Sequence, residues 1–184
     1  MILFETSRLI GRQLSRQDLP ALTEILSDPD VMKHSVHGVC DENATRKFID
    51  WCQECYSSHG VGPWALVEKS SGGLVGFCGV SPEMVDGIEE MNLGYRLAQK
   101  FWNQGFASEA VKDVINYAFM QKSMRSVVAI IEPEHKASIR VSEKAGFSSY
   151  TNLEFHGRSV RLYRMMAALG ASKTMKPQQI IDPR

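Results

Sequence analysis

The sequence predicts an α/β domain in which helices flank a mixed β-sheet. Segments with strand and helix patterns follow one another in the order β-α-α-β-β-β-α-β-α-β-β over residues 8–166. Residues 19–26 show the helical period, because Leu19, Leu22, Ile25 and Leu26 recur at intervals that place them on one face. Residues 127–131 are wholly apolar and rich in β-branched side chains, as is typical of a buried strand. The alternation of these two patterns predicts the fold class.

The first half of the chain should form two helices and three strands. The predicted elements are strand 8–14, helix 19–28, helix 42–58, strand 64–68 and strand 74–80. Asp18 is a suitable cap for the first helix, and Pro29 ends it. The paired glycines Gly72 and Gly73 favour a hairpin turn between the last two strands, because they tolerate the positive φ that tight hairpins need.

The second half should contain the remaining strands and two more helices. A loop at 82–87 precedes strand 89–97, helix 108–120, strand 127–131, helix 136–145, strand 147–155 and strand 159–166. Gly146 is a typical C-terminal helix cap. We expect residues 1–168 to form one domain, and residues 169–184 to form a loosely ordered C-terminal tail.

The segment from Leu97 to Ser108 is the most informative part of the sequence. A strand ends at Leu97 and, after a short turn, a helix begins by about Ser108. The N–H groups in the first turn of this helix have no intrahelical partner. These donors and the helix dipole suit a pyrophosphate. Gly105 and Ala107 allow phosphates close to the backbone, and Gly105 can also adopt positive φ. An ordinary β-to-α turn would carry the same small residues for steric reasons alone.

Composition narrows the functional class. Lys plus Arg and Asp plus Glu both number 21, so no overall field favours nucleic acid or an anionic membrane. No apolar run approaches the roughly 20 residues that span a bilayer. The first five residues lack the pattern of a signal peptide, so the cytoplasm is the expected location.

The four cysteines do not indicate a metal site. Cys52 and Cys55 form a C-x-x-C pair, but Cys40 and Cys78 stand apart and no second pair completes a ligand set. On a helix, Cys52 and Cys55 would share one face, so buried reduced thiols are expected.

Several linked segments resemble the GNAT superfamily of acyl-CoA-dependent N-acyltransferases, and in particular its RimJ/RimL-like branch. They are TSRLIGR (6–12), DPDVM (28–32), GPWALVEK (62–69), GFCG (76–79), LGYRL (93–97), FWNQGFASEA (101–110) and PEHKASIRVSEKAGF (133–147). They occur in the family's order and cover about residues 6–166. This resemblance implies a mostly antiparallel GNAT sheet, whose fourth and fifth predicted strands splay apart around the pantetheine arm of acetyl-CoA.

The resemblance also implies which residues bind acetyl-CoA, with no metal taking part. The fourth predicted strand would line the pantetheine, and the turn that follows it would hold the pyrophosphate mainly through backbone amides. The cofactor-binding residues implied in this way are Tyr95, Leu97, Trp102, Asn103, Gln104, Gly105, Phe106, Ala107, Ser108, His135 and Ser138.

Two departures from the branch pattern concern catalysis. Asn92 stands where the branch often has a glutamate base, and an amide cannot act as a base. Glu90 shares its face by strand alternation and is the first candidate for the base. His37 and His34 are the next candidates, because imidazole groups titrate near neutral pH. His135 replaces the usual asparagine that hydrogen-bonds the pantetheine.

The acid toward the departing thiolate is also open. Ser138 is retained from the branch pattern as a candidate acid, although a hydroxyl in the first turn of a helix can instead simply bond the backbone. Ser142 stands where other branches carry an acidic tyrosine, but its short side chain cannot span the same distance.

The sequence therefore predicts an acetyl-CoA-dependent N-acetyltransferase that works by direct transfer in a ternary complex. The alternative is an acyl-CoA-binding module that has lost turnover. The acceptor would be a primary amine on a protein N-terminus or a small molecule, and the protein would be a monomer or a homodimer.

Overall fold

The computed structural model describes residues 1–168, and the predicted tail lies outside these residues. The strands are β1 Ile2–Glu5, β2 Leu9–Gln13, β3 Pro63–Glu68, β4 Leu74–Val85, β5 Ile88–Leu97, β6 Ser126–Ile131, β7 Tyr150–Phe155 and β8 Arg158–Met166. The helices are α1 Leu19–Leu26, α2 Glu42–His59, α3 Phe106–Asn116 and α4 Lys136–Ala145. Shorter helical segments are the 3₁₀ turns Arg16–Asp18 and Gln99–Phe101 and the π-helical turn Tyr117–Gln121.

The strands form one sheet in the order β1-β2-β3-β4-β5-β6-β8-β7. Neighbouring strands are antiparallel except β5 and β6, which are parallel and pair only at Asn92 and Val128. Beyond that pair the two strands diverge, so the edge of β5 from Leu93 to Leu97 is not hydrogen-bonded to β6. The GNAT fold with its splayed strands, expected from the resemblance, is confirmed. In the structure these strands are the fifth and sixth.

The helices pack in pairs on the two faces of the sheet. Phe48 of α2 contacts Phe77 of β4 with ring centroids 5.0 Å apart. Cys78, the next residue of β4, lies opposite Trp64 of β3 in the ladder. Trp64 contacts Tyr117, which follows α3, with ring centroids 4.9 Å apart. Because successive strand residues point to opposite faces, α2 and α3 lie on opposite sides of the sheet. Each helix thereby buries an apolar stripe against one face.

The structure adds a strand that the sequence reasoning missed. β1 pairs with β2, and the Phe4 ring lies over Gly11 so closely that a Cβ there would be 2.2 Å from Phe4 Cε1. The space that Gly11 leaves open therefore lets Phe4 pack on the sheet. A four-residue strand with exposed ends and a half-buried middle carries too little alternation to be recognised from sequence.

The predicted loop at 82–87 is instead part of a long hairpin. β4 continues to Val85, β5 begins at Ile88, and the turn consists of Asp86 and Gly87 with φ of 48° and 78°. Positive φ at both central residues is the geometry that Asp-Gly pairs favour in two-residue hairpins. Pro82 had suggested a loop, but a proline is tolerated here within the ladder.

Several element boundaries also differ from the prediction, among them the ends of α1 at Leu26 and of α3 at Asn116. α3 begins at Phe106, two residues before the expected start, because Gly105 supplies the left-handed residue at its N-terminus. The strand expected from residue 147 begins at Tyr150, and Phe147 lies in the core instead. No helix within residues 1–168 is long and apolar enough to cross a membrane.

Candidate active site

A groove of about 470 Å³ lies between the end of β5, the turn that follows it, the start of α3 and one face of α4. It is lined by all the predicted cofactor residues except Gln104, whose side-chain amide donates to Lys100 O at 2.6 Å. Trp102 donates its indole N–H to Leu97 O at 2.8 Å, which fixes the ring at the mouth of the groove. We call this cavity the donor groove.

The N-terminus of α3 presents unused backbone donors to the donor groove. Glu109 N donates to Gly105 O, which starts the helical ladder. The preceding N–H groups of Phe106, Ala107 and Ser108 have no backbone acceptor within residues 1–168, and these residues line the groove. Gly105 adopts a φ of 81°, which turns the chain into the helix. Free amides at a helix N-terminus are a suitable site for phosphate groups.

Arg8, which immediately precedes β2, holds this turn in place. Arg8 donates from Nε to Glu109 Oε2 at 2.7 Å and from Nη1 to Gln104 O at 2.9 Å. Its guanidinium also lies over the Phe106 ring, 4.0 Å from the centroid. Arg8 and Glu109 both lie in segments that carry the family resemblance, but their pairing across 101 residues could not be read from either segment.

Two cations on α4 also line the donor groove. Arg140 and Lys144 are one helical turn apart, and both belong to the lining. Asp30 is the acidic residue on this lining. The groove therefore combines backbone amides with positive side chains, whereas the resemblance had implied that amides would do most of the binding.

The backbone of β5 exposes donors along its free edge. Ala98 N donates to Val75 O, on the β4 side. Because N–H groups alternate sides along an antiparallel strand, those of Leu93, Tyr95 and Leu97 point away from β4 and into the splay. The carbonyls of Tyr95 and Leu97 accept bonds from the Arg96 and Trp102 side chains, which agrees with this direction.

A second cavity of about 480 Å³ opens on the other side of the splay. Its walls come from the α1–α2 loop, β4, β5, β6, α4 and the β7–β8 hairpin. We call it the acceptor cavity. Five residues line both cavities: His34, Tyr95, Arg96, His135 and Ser138. The two cavities therefore meet at these side chains.

A pair of hydroxyl groups stands at this junction. Tyr95 Oη and Ser138 Oγ are 2.9 Å apart, and Ser138 is buried in the first turn of α4. Burial raises the pKa of Tyr95 to about 12, so its phenol keeps its proton at neutral pH. Ser142, one turn further along α4, is buried and lines the acceptor cavity.

Two stacked imidazoles close the junction on the side of the α1–α2 loop. His34 and His135 have ring centroids 4.0 Å apart and planes inclined by 12°. Burial, with the positive charges of His34 and Arg96 nearby, lowers the pKa of His135 to about 4. His34 Nδ1 lies 3.7 Å from Glu132 Oε1, which also accepts from Arg158 Nη1 at 2.7 Å. His135 is therefore neutral at physiological pH.

The candidates for the base lie in different surroundings. Glu90 is paired through both carboxylate oxygens with Arg164 of β8, with Oε2 2.9 Å from Nη1, and this hydrogen bonding lowers the pKa of Glu90. It does not line either cavity. His37 and Asn92 do line the acceptor cavity, and Asn92 Oδ1 is buried without a hydrogen-bond partner in the described chain.

The sequence reasoning missed a carboxylate in the acceptor cavity. Glu83 lies directly opposite Glu90 in the β4–β5 ladder and lines the cavity. It makes no ion pair or side-chain hydrogen bond with any residue in the part of the chain that the structure describes. The signal that could have revealed Glu83 is the Asp86-Gly87 turn, which sets the register and so places residue 83 beside residue 90.

Comparison with known proteins agrees with this geometry. Residues 8–148 match the family model described as "Acetyltransferase (GNAT) domain". The chain is 31% identical over 159 residues to YkkB of Bacillus subtilis (strain 168), a match that covers 86% of this chain and 92% of YkkB. A crystal structure of a GNAT-family acetyltransferase from Bacillus anthracis is 27% identical, with a TM-score of 0.73 and coverage of 90% and 98%.

A structure of the ribosomal-protein acetyltransferase RimL in complex with coenzyme A has the same fold. Its TM-score is 0.70, its identity 17%, and the match covers 91% of this chain and 98% of that one. The family model, which matches most of the chain, shows that the protein belongs to the GNAT acetyltransferase family, as the sequence motifs had indicated, and that it is an acetyl-CoA-dependent acyltransferase.

Proposed function

We propose that this protein transfers the acetyl group of acetyl-CoA to a primary amine by direct attack within a ternary complex. The observation that supports this most strongly is the meeting of the donor groove and the acceptor cavity at the Tyr95–Ser138 hydroxyl pair. A donor and an acceptor bound in the two cavities would have their reactive ends next to each other, which favours direct transfer.

The donor groove suits acetyl-CoA, which supplies the acetyl group as a thioester. The free amides at the start of α3 bind the pyrophosphate, and Arg140 and Lys144 add positive charge along the same wall. The N–H groups on the free edge of β5 bind the pantetheine amides. Of the three residues that carry these groups, Leu93 lines the acceptor cavity but not the donor groove, so its N–H is suited to polarise the thioester carbonyl at the acceptor end.

The acceptor cavity suits an amine that must lose a proton. Asn92 Oδ1 accepts one amine N–H, which supplies the partner that this buried oxygen otherwise lacks. Glu83 takes the proton that the nitrogen releases, directly or through water, because it is the carboxylate of this cavity that no cation neutralises. Glu90 is held by Arg164, and His37 is the next candidate after Glu83 on the same lining.

The hydroxyl pair stabilises the departing sulfur. As the C–N bond forms and the C–S bond breaks, the sulfur becomes a thiolate. Each hydroxyl of the Tyr95–Ser138 pair has one proton, so one hydroxyl donates to its partner and the partner donates to the sulfur. A phenol with a pKa of about 12 does not give up its proton to a thiolate, whose own pKa lies near about 8.5. The thiolate therefore leaves unprotonated and gains its proton by equilibration with the bulk solution, in which a thiol of this pKa is mostly protonated at neutral pH.

Turnover tests the proposal. Thiol release from acetyl-CoA should depend on an added amine when amino acids, peptides, polyamines and aminoglycosides are compared. Tight acetyl-CoA binding without amine-dependent thiol release across this set would instead identify a non-catalytic binding module.

The role of Glu83 as the base is tested by a substitution and a matched control variant. Glu83→Gln should lower kcat/KM by about 10²- to 10⁴-fold, with a smaller loss at high pH where more amine is already neutral. Glu54→Gln, on the exposed face of α2, should leave the kinetics unchanged. Normal turnover in Glu83→Gln would move the base to another group.

A further inference from the structure

The floor of the acceptor cavity has an open slot between two polar side chains. Asn92, Gly94 and Arg96 of β5 share one face of the strand, and all three line the cavity. A Cβ at Gly94 would have no heavy atom within 4 Å, so the space above this residue is free. The slot has an amide at one end and a guanidinium at the other.

The permanent charges of the cavity leave one cation and one anion unmatched. Four residues that carry permanent charge line the cavity: Glu83, Arg96, Glu132 and Arg158. Glu132 and Arg158 neutralise each other at 2.7 Å. Neither Glu83 nor Arg96 has an ion-pair partner among residues 1–168. A ligand with one positive and one negative group would match this pair.

Arg96 is equipped to bind a carboxylate. Its side chain is half-buried, and its Nη1 donates to Tyr95 O at 2.7 Å. The guanidinium group has five N–H donors, so four remain for a ligand, enough for the two-point contact that a carboxylate accepts. A half-buried charge without a counterion is unfavourable, so an incoming anion gains interaction energy there.

The opposite end of the slot is equipped to bind an amine. Asn92 Oδ1 is buried and has no hydrogen-bond partner in the described chain. Ser81 of β4 lies opposite Asn92, and Glu83, two residues further along β4, lies opposite Glu90. An amine nitrogen supplies the N–H donors that the amide oxygen lacks. Asn92 and Arg96 are four residues apart on the strand, about 13 Å between Cα atoms, and a ligand held by both side chains would lie between them in the open slot.

We propose that the acceptor is a small amino acid, whose amine lies at Asn92 and Glu83 and whose carboxylate is bound by Arg96. This inference rests on the proposed acetyl transfer and narrows its acceptor class. A polyamine or an aminoglycoside would bring several positive charges to a cavity with one free carboxylate and one free guanidinium. A protein N-terminus has no carboxylate next to its amine unless an acidic side chain follows.

Paired substrates test the inference. Each common L-amino acid is compared with its own carboxamide by kcat/KM for thiol release. The best amino acid should exceed its carboxamide by about 10- to 100-fold, the range of charge-assisted hydrogen bonds to a carboxylate. The amine of a carboxamide is less basic than that of the free amino acid, so a larger fraction of it is neutral and reactive. In a site that does not bind the carboxylate, the carboxamide should therefore be the better substrate.

Variants identify the group responsible. In Arg96→Gln the preference should fall to within about threefold, measured at saturating acetyl-CoA because Arg96 also lines the donor groove. Arg46→Gln, on the surface of α2 and paired only with Glu42, is the matched control and should keep the preference. A wild-type enzyme that uses carboxamides as well as amino acids would overturn the inference, as would an Arg96→Gln enzyme that keeps the preference.

Failure of the proposed function has a different result. If no amine of any kind elicits thiol release, the acetyl transfer itself is refuted and the inference falls with it. If amines are acetylated without regard to a carboxylate, only the inference about the acceptor fails.

Discussion

The hydroxyl pair at the junction of the cavities can be tested by removing each oxygen in turn. In Tyr95→Phe the Ser138 hydroxyl loses its partner at 2.9 Å, and in Ser138→Ala the phenol loses the same bond. A single neutral hydrogen bond contributes about 1 kcal/mol to stability. For a chain of this length, that corresponds to a lowering of Tm by about 2–4 °C.

The catalytic effect should be much larger than this change in stability. A donor aimed at a developing negative charge contributes about 10²- to 10³-fold to kcat, which is roughly 3–4 kcal/mol. Each single variant should therefore lose about that factor in kcat. Because the two hydroxyls act on the sulfur through one bonded pair, the double variant should be only slightly slower than the slower single variant.

The assay is kcat for thiol release at saturating acetyl-CoA and acceptor, combined with thermal melting and calorimetric affinity for acetyl-CoA. Tyr150→Phe is the matched control, since Tyr150 is an exposed tyrosine outside both cavities. Single variants whose kcat stays within about threefold of wild type would refute the role of the pair. A double variant whose losses multiply fully would show instead that the two hydroxyls act independently.

Further predictions concern the donor groove, the base and the stacked imidazoles. Gly105→Asp should abolish acetyl-CoA binding in calorimetry, because a carboxylate would face the phosphates, whereas Gly72→Asp, at another residue of positive φ in open space, should bind normally. Glu90→Gln should keep kcat/KM within about threefold, since its arginine partner already neutralises the carboxylate, and a loss of 10²-fold or more would restore Glu90 as the base. The folded state lowers the pKa of His135 to about 4, so the unfolded chain binds more protons between about pH 6.5 and 4, and stability falls as pH decreases through this window. His135→Asn should therefore reduce the fall in the free energy of unfolding between pH 7 and 5 by on the order of 2 kcal/mol or less, so that Tm depends less on pH. His59→Asn, at the exposed end of α2, should leave the pH dependence of Tm unchanged.

The donor groove was largely predictable from sequence because its determinants are local. The small residues Gly105, Ala107 and Ser108 lie where a strand gives way to a helix, and the periodicities of these two elements reveal the boundary. The chemistry of a helix start then follows from its backbone. The positions of α2 and α4 could be predicted for the same reason, with Asp41 and Gly146 at their ends. Short-range patterns of this kind need no knowledge of what lies across the sheet.

The acceptor cavity was not predictable in the same way, because its character depends on pairings between distant residues. Strand alternation placed Glu90 beside Asn92, but it could not show that Arg164 of β8 holds that carboxylate. Nor could it show that the hairpin register places Glu83 in the cavity. The stacking of His34 on His135 likewise joins a loop to a helix start about a hundred residues later. Such contacts follow from the sheet order and the splay, which local sequence does not specify.

Mass spectrometry of a complete reaction tests direct transfer most directly. The protein is incubated with acetyl-CoA and its best amine, and the amine, the free thiol and the intact protein are all measured. Direct transfer predicts one N-acetylated amine for each thiol released, with no acetylated protein at any time, even when the amine is left out. A protein that gains an acetyl group before the amine is added, or thiol release that yields acetate in place of an acetylated amine, would contradict the mechanism proposed for the junction of the two cavities.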